Sequence, residues 1–142
     1  MKYGLFGSNG RLGKEVVNLF NEKKHELAFE CNLEGVSEKS KPDVLIDCSL
    51  PDVFDKSLSL AVDNLLPFII AVTGLTTGQL TELKNASGKI PIVQSFNFSI
   101  GIQMMLRLTS LASEVLNDWD VEISETHHRF KKDKPSGTAK MI

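Results

Sequence analysis

The feature that most restricts this chain lies at its start. A short apolar run at residues 2–6 is closed by Gly7-Ser-Asn-Gly10-Arg-Leu-Gly13, and residues 11–23 then place Leu12, Val16, Leu19 and Phe20 at helical spacing. Strand, glycine-rich turn and helix follow in that order, and the alternation continues. Residues 26–31 read as a second strand; after the breakers Gly35 and Pro42, residues 43–47 (DVLID) form a compact buried strand. Leu50-Pro51 opens a helix with Phe54, Leu58 and Ala61 on one face, because proline is tolerated in a first turn. Residues 67–73 and 90–94 are further strands, separated by a short helix carrying Leu80 and Leu83, and a longer helix covers residues 100–116. Strands apolar on both faces that alternate with amphipathic helices require a mostly parallel sheet covered on two sides. The expected class is α/β, Rossmann-like, with any ligand beyond the carboxyl ends of the strands. The turns at 7–13, 31–35, 47–51, 73–75 and 95–99 therefore bear on function.

With 142 residues the chain holds one domain, or one and the start of another. Sixteen basic against 18 acidic residues leave a net charge of −2, which gives no general attraction to nucleic acid or anionic membranes. The longest apolar stretch, 65–72, is under half of the roughly 20 residues a spanning helix needs, and the N-terminus lacks a signal-peptide run. The reading is a cytoplasmic protein without a membrane partner. Cys31 and Cys48 are far apart and outside any C-x-x-C pair, so both are expected as buried free thiols, with no disulfide framework and no metal site.

The last segment differs in character. Residues 121–126 (VEISET) alternate like a half-exposed strand, and the following stretch gathers Arg129, Lys131, Lys132 and Lys134 against Asp133. So short a basic run on an acidic chain, with Phe130 as its only aromatic, argues against nucleic-acid binding. Pro135-Ser136-Gly137-Thr138 resembles a helix start that the chain does not complete. The expectation is a nucleotide-binding domain at 1–118 and the beginning of an α+β substrate domain at 119–142, in a truncated protein or partial sequence.

The Gly7–Gly13 turn has the context of a dinucleotide fingerprint: glycine permits close backbone approach, and the helix start offers free N–H groups to a pyrophosphate. An acidic residue closing the second strand would hold the adenosine ribose. Glu30, Asn32 and Glu34 all compete for that place; Asn32 would bind a hydroxyl without repelling a 2′-phosphate, which admits NADPH alongside NADH. Further on, His127 and His128 with Lys131 and Ser136-Gly137-Thr138 combine a proton donor, an ammonium and a hydroxyl- and amide-bearing turn. Together they suit a small diacid.

In GSNGRLG at 7–13, DVLIDCSLP at 43–51, VTGL at 72–75, FNFSIG at 96–101 and ETHHRFKKDKPSGTA at 125–139, the chain resembles the 4-hydroxy-tetrahydrodipicolinate reductase (dihydrodipicolinate reductase) family of lysine and diaminopimelate biosynthesis, short-chain type. The resemblance implies NADPH- or NADH-dependent reduction of 4-hydroxy-tetrahydrodipicolinate to tetrahydrodipicolinate, a small dicarboxylate as substrate, and a homotetramer. It makes His127 the proton donor and Lys131 its catalytic partner, with His128, Ser136, Gly137 and Thr138 at the substrate. Gly7, Ser8, Asn9, Gly10, Arg11 and Leu12 would hold the pyrophosphate, and Asn32 would lie at the ribose. Ala71, Val72 and Thr73, with Ser95, Phe96, Asn97 and Phe98, would line the nicotinamide side. Two places depart from the family pattern: Ala71-Val72-Thr73 replaces Gly-Thr-Thr, and Asn32 replaces an acidic residue. The alternative reading is a nucleotide-binding fragment of such a reductase without catalytic competence.

Overall fold

A computed structural model describes residues 1–131 and 134–142; Lys132 and Asp133 of the basic run lie outside the described residues. The described residues cluster into two compact units, Met1–Ser95 and Phe96–Ile142. Compactness thus divides the chain earlier than the 118/119 boundary read from the sequence.

The first unit is a six-stranded sheet with the order β3-β2-β1-β4-β5-β6. Its strands are β1 (Lys2–Phe6), β2 (Glu26–Asn32), β3 (Gly35–Glu38), β4 (Val44–Asp47), β5 (Phe68–Ile70) and β6 (Ile92–Gln94). All neighbours run parallel except β2 and β3, which pair antiparallel from Phe29↔Glu38 to Asn32↔Gly35. Strand β3 was not anticipated: its residues are exposed, so no buried face marks it, and Gly35 reads locally as a breaker. It is an edge strand held by backbone pairing to β2.

Alternation along the central strands separates two cores. Tyr3, Leu5 and Ile46 face one side and pack with Val16, Val17 and Phe20 of helix α1 (Arg11–Glu22). Phe6, Phe29 and Leu45 face the other, against Phe54, Leu58 and Ala61 of α2 (Phe54–Asp63) and Leu83 and Ala86 of α3 (Thr77–Ala86). Burial of such side chains, each worth about 1.5–3 kcal/mol, is the main force holding the helices to both faces. Proline 51 begins a 3-10 turn, Pro51–Val53, ahead of α2, and Thr76 starts α3 with a capping box to Gln79. The mostly parallel α/β architecture is as the apolar periodicity predicts.

In the second unit, α4 (Ile100–Val115) forms where expected, yet none of its residues is buried: Met104, Leu108, Leu111 and Val115 are all exposed. Residues 121–126 form no strand, contrary to their alternating pattern, since extended backbone becomes a strand only beside a partner. Residues 137–141 are turns, with Lys140 N–H donating to Ser136 O and Met141 N–H to Thr138 O. No helix among the described residues is long and apolar enough to cross a membrane. Both cysteines are free, but only Cys31 is fully buried; Cys48 is partly exposed, correcting the expectation of two buried thiols.

Candidate functional site

The sheet order reverses between β1 and β4, which places a switch point beside the glycine turn. Gly7 has φ +80°, and a Cβ there would lie 2.9 Å from the carbonyl carbon and oxygen of Cys48. A Cβ on Gly13 would lie 2.1 Å from Gly7 O, so the first turn of α1 touches the backbone of the loop that precedes it. Gly10 is the N-cap and makes no side-chain cap bond; its N–H donates to Gly7 O. The first-turn N–H groups of Arg11, Leu12 and Gly13 have no acceptor within the helix, and the helix dipole adds partial positive charge there. This backbone cradle fits a pyrophosphate.

Ser8 takes a different part from the others. It is buried, and its hydroxyl donates to Glu30 Oε1 while accepting from Asn32 Nδ2 at 3.0 Å. Asn32 is equally committed: its amide also reaches Glu30 Oε1 at 3.0 Å and Asn9 Oδ1 at 3.3 Å, and its Oδ1 accepts from Glu34 N–H at 2.8 Å. Asn32 therefore ties the end of β2 to the glycine loop. Of the three residues competing for the ribose, Glu34 is exposed and approaches the loop through Asn9 Nδ2 at 3.4 Å.

The loop after β4, whose Cys48 backbone lies against Gly7, is itself held by a carboxylate that sequence reasoning did not single out. Asp47 is fully buried and accepts from Ser49 N–H at 2.8 Å, from Ser49 Oγ and from Ser57 Oγ. An Asp two residues before Ser, closing a buried strand, is the local signal for such an Asx turn. Replacing Asp47 by alanine is expected to cost about 2 kcal/mol, because the Ser49 donors lose their acceptor; the urea midpoint should fall with an unchanged slope. Beside it, burial and then the Asp47 charge push the Cys48 thiol up to about 11. That shift disfavours the thiolate at neutral pH.

After β5, Ala71 N–H donates to Asp47 O at 2.8 Å and Thr73 is exposed, whereas Val72 is 1% exposed and belongs to the main core. Val72 has only its backbone to offer a ligand. Ser95 closes the first unit, its N–H donating to Ile70 O at 3.3 Å.

In the second unit the anion-binding candidates gather around Glu125. His127 Nε2 lies 2.9 Å from Glu125 Oε2, and Glu125 Oε1 accepts from Ser136 N–H at 2.8 Å. Ser136 is buried and its Oγ accepts from Ala139 N–H, while Asn97 Nδ2 donates to Thr138 Oγ1 at 3.1 Å. Thus His127, Ser136 and Thr138 are held by Glu125 and Asn97, with Phe96 and Phe98 flanking the latter in sequence. His128 makes a local bond instead, its Nδ1 accepting from Phe130 N–H at 3.2 Å, and its carbonyl accepts from Lys131 N–H at 3.1 Å. Glu125 was missed as a site residue. Its signal is the i, i+2 spacing to His127, which on extended backbone puts both side chains on one side.

Hydrogen bonds from the Ser136 hydroxyl, then from His127, then from Ser136 N–H, hold the Glu125 carboxyl down at about 2. A carboxylate depressed on folding contributes its stability above its ordinary value and loses it as pH falls through the lowered one. Carboxyl NMR should therefore give a Glu125 midpoint near 2, and Ser136→Ala should raise it toward the ordinary 4.5. A wild-type midpoint already at the ordinary value would refute this bonding.

Comparison with known proteins identifies the family. The family description "Dihydrodipicolinate reductase, N-terminus" matches residues 24–98, and "Dihydrodipicolinate reductase, C-terminus" matches 101–142. A 4-hydroxy-tetrahydrodipicolinate reductase of Thermosipho africanus (strain TCF52B) is 39% identical over 142 residues, covering 100% of this chain and 65% of the relative. One of Rickettsia rickettsii (strain Sheila Smith) is 36% identical over 148 residues, covering 100% and 62%. Among solved structures, the dipicolinate-bound dihydrodipicolinate reductase from Paenisporosarcina sp. TG-14 superposes with a TM-score of 0.72 at 26% identity, covering 99% of this chain and 63% of that one. This chain therefore spans less than two thirds of the length of these relatives. With the family descriptions matching on both sides of residue 100 and the relatives aligned along its whole length, the chain belongs to the dihydrodipicolinate reductase family.

Proposed function

We propose that the chain is the nucleotide-binding and proton-donating part of an enzyme that reduces 4-hydroxy-tetrahydrodipicolinate to tetrahydrodipicolinate with NADPH or NADH. The observation that carries this reading is the Glu125-centred cluster, in which a histidine and the Ser136–Thr138 turn are organised by two side chains of the same unit. The glycine cradle supports the nucleotide half of the reading, since a Cβ at Gly7 or Gly13 would fill the space the backbone needs.

Gly7 to Leu12 would hold the pyrophosphate, with Ser8 and Asn32 shaping the loop by internal bonds and Arg11 adding a cation at the helix start. Ala71 to Thr73 and Ser95 to Phe98 would border the nicotinamide. A bound dinucleotide would supply hydride-transfer chemistry, and the hydroxylated substrate, on losing water, would offer a conjugated cyclic imine to it. His127 then gives the substrate its proton, and Glu125 holds the imidazole in one orientation by accepting from Nε2. Lys131, His128 and the N–H and hydroxyl groups of Ser136, Gly137 and Thr138 anchor the two carboxylates, fixing the ring relative to the hydride donor. The neighbour's dipicolinate is a diacid of that kind.

The division at 118/119 into nucleotide-binding and substrate-binding parts, a homotetramer and a cytoplasmic location are further parts of the proposal; two free thiols agree with the last. The test is an assay of this chain with 4-hydroxy-tetrahydrodipicolinate, following loss of reduced nicotinamide, beside calorimetry with NADH, NADPH and dipicolinate. Turnover supports the full reading. Nucleotide binding without turnover supports the second reading, a nucleotide-binding chain without catalytic competence; the chain spans 62–65% of the length of these curated relatives. No binding by any of the three ligands refutes both.

A further inference from the structure

We propose that Cys31 and Lys56 form an oxidation-controlled covalent pair, in which peroxide turns the Cys31 thiol into a sulfenic acid and the Lys56 amine condenses with it to a sulfenamide. The inference goes beyond the reductase reading and does not depend on it. Lys56 Nζ donates to Cys31 Sγ at 3.7 Å across 25 positions of sequence, so the packing of α2 on the end of β2 brings an amine to a sulfur. Among the described residues that amine is the sulfur's one hydrogen-bond partner. Cys31 has the greatest exposure of its core cluster, at 9%, and Lys56 is exposed. The pair therefore lies where the core meets solvent, within reach of a small oxidant.

The chemistry balances in two steps. In the first, the Cys31 sulfur attacks one peroxide oxygen: the O–O bond breaks, an S–O bond forms, sulfur gives up two electrons, and the second oxygen leaves with the thiol proton as water. In the second, the Lys56 nitrogen, its extra proton released to solvent, attacks sulfur: an S–N bond forms, the S–O bond breaks, and the hydroxyl leaves with an amine proton as water. Sulfenic acids condense in this way with backbone nitrogen and with thiols. An external thiol reverses the link by attacking sulfur and freeing the amine. Going from contact to bond takes about 2 Å of closure, which the flexible four-carbon stem of lysine supplies without moving β2.

Cys48 is the internal comparison. It is more exposed than Cys31, yet its charged neighbour is the Asp47 carboxylate, which together with burial pushes its thiol up to about 11. A Cys31–Lys56 link would join β2 to α2 beside the glycine turn, because Cys31 O accepts from Gly7 N–H at 2.8 Å and Ser57, next to Lys56, donates to Asp47.

The experiment treats the 142-residue chain with stoichiometric hydrogen peroxide, then alkylates, digests with trypsin and measures peptide masses, with dimedone as the sulfenic-acid trap in a parallel sample. The expected product is the peptide of residue 31 joined to that of residue 56, about 2 Da lighter than the two reduced peptides together. Cleavage after Lys56 should be lost, and dithiothreitol should restore both peptides. Lys56→Met, a change at an exposed position that leaves the sulfur in place, should give no linked peptide and several-fold more dimedone on Cys31 than the wild type. Equal dimedone labelling of the two proteins, a link to a different lysine, or a linked peptide about 14 Da heavier, with oxygen kept between sulfur and nitrogen, overturns the sulfenamide. So does a Cys31 that peroxide leaves unmodified.

Discussion

Replacing His127 with glutamine in the catalytically competent protein is expected to lower kcat by about 10²–10⁴, the usual worth of a positioned general acid. Glutamine can still donate to Glu125 in the geometry His127 uses, at 2.9 Å, so the local structure survives while the transferable proton is lost. The loss should fall on kcat with KM little changed, since the carboxylate anchors proposed at Lys131 and Ser136 to Thr138 are untouched. Glu125→Gln should produce a smaller fall, because it weakens the orientation of the ring and leaves the ring itself in place. Steady-state kinetics of both variants across pH provide the check. A His127→Gln enzyme with wild-type kcat would remove His127 from the chemistry.

Gly13→Ala should be the most damaging single change in the first unit. The new methyl group would lie 2.1 Å from Gly7 O, 2.8 Å from Gly7 C and 2.8 Å from Ser8 Cα, all backbone atoms that no side-chain rotation can move aside. Either α1 shifts away from β1 or the glycine turn opens. Overpacking of this kind costs about 1–3 kcal/mol, and contacts with fixed backbone belong at the upper end. The same displacement removes the first-turn N–H groups from the proposed pyrophosphate position. Chemical denaturation should show a lower midpoint, and NADH titration should show at least a tenfold weaker Kd. Wild-type values in both would mean that α1 and the loop are not packed as described.

The elements differ in how far their sequence betrays them. β1, α1 and α4 fall within a residue or two of their expected limits, because each carries its own periodic apolar signal. β5 and β6 are shorter than their apolar runs at 67–73 and 90–94; of the remainder, Val72 and Ile90 are core residues outside the ladder, whereas Pro67, Thr73 and Pro91 are exposed. β3 has no apolar face at all and exists only through its pairing with β2.

Residue type and order determined the α/β class, the glycine cradle and the membership of His127 and Ser136 in one motif, because these depend on local backbone preference and short spacings. Tertiary structure alone decided what each polar side chain does. Whether Asn32 meets a ligand or Ser8, whether Val72 faces a cofactor or the core, and whether Asp47 and Glu125 are solvated or bonded are set by neighbours more than ten residues away in most cases: Ser8 lies 24 residues from Asn32, Ser57 lies 10 from Asp47 and Ser136 lies 11 from Glu125. A side chain's chemistry is written in its residue type, but its partner is chosen by packing, and packing is a property of the folded chain.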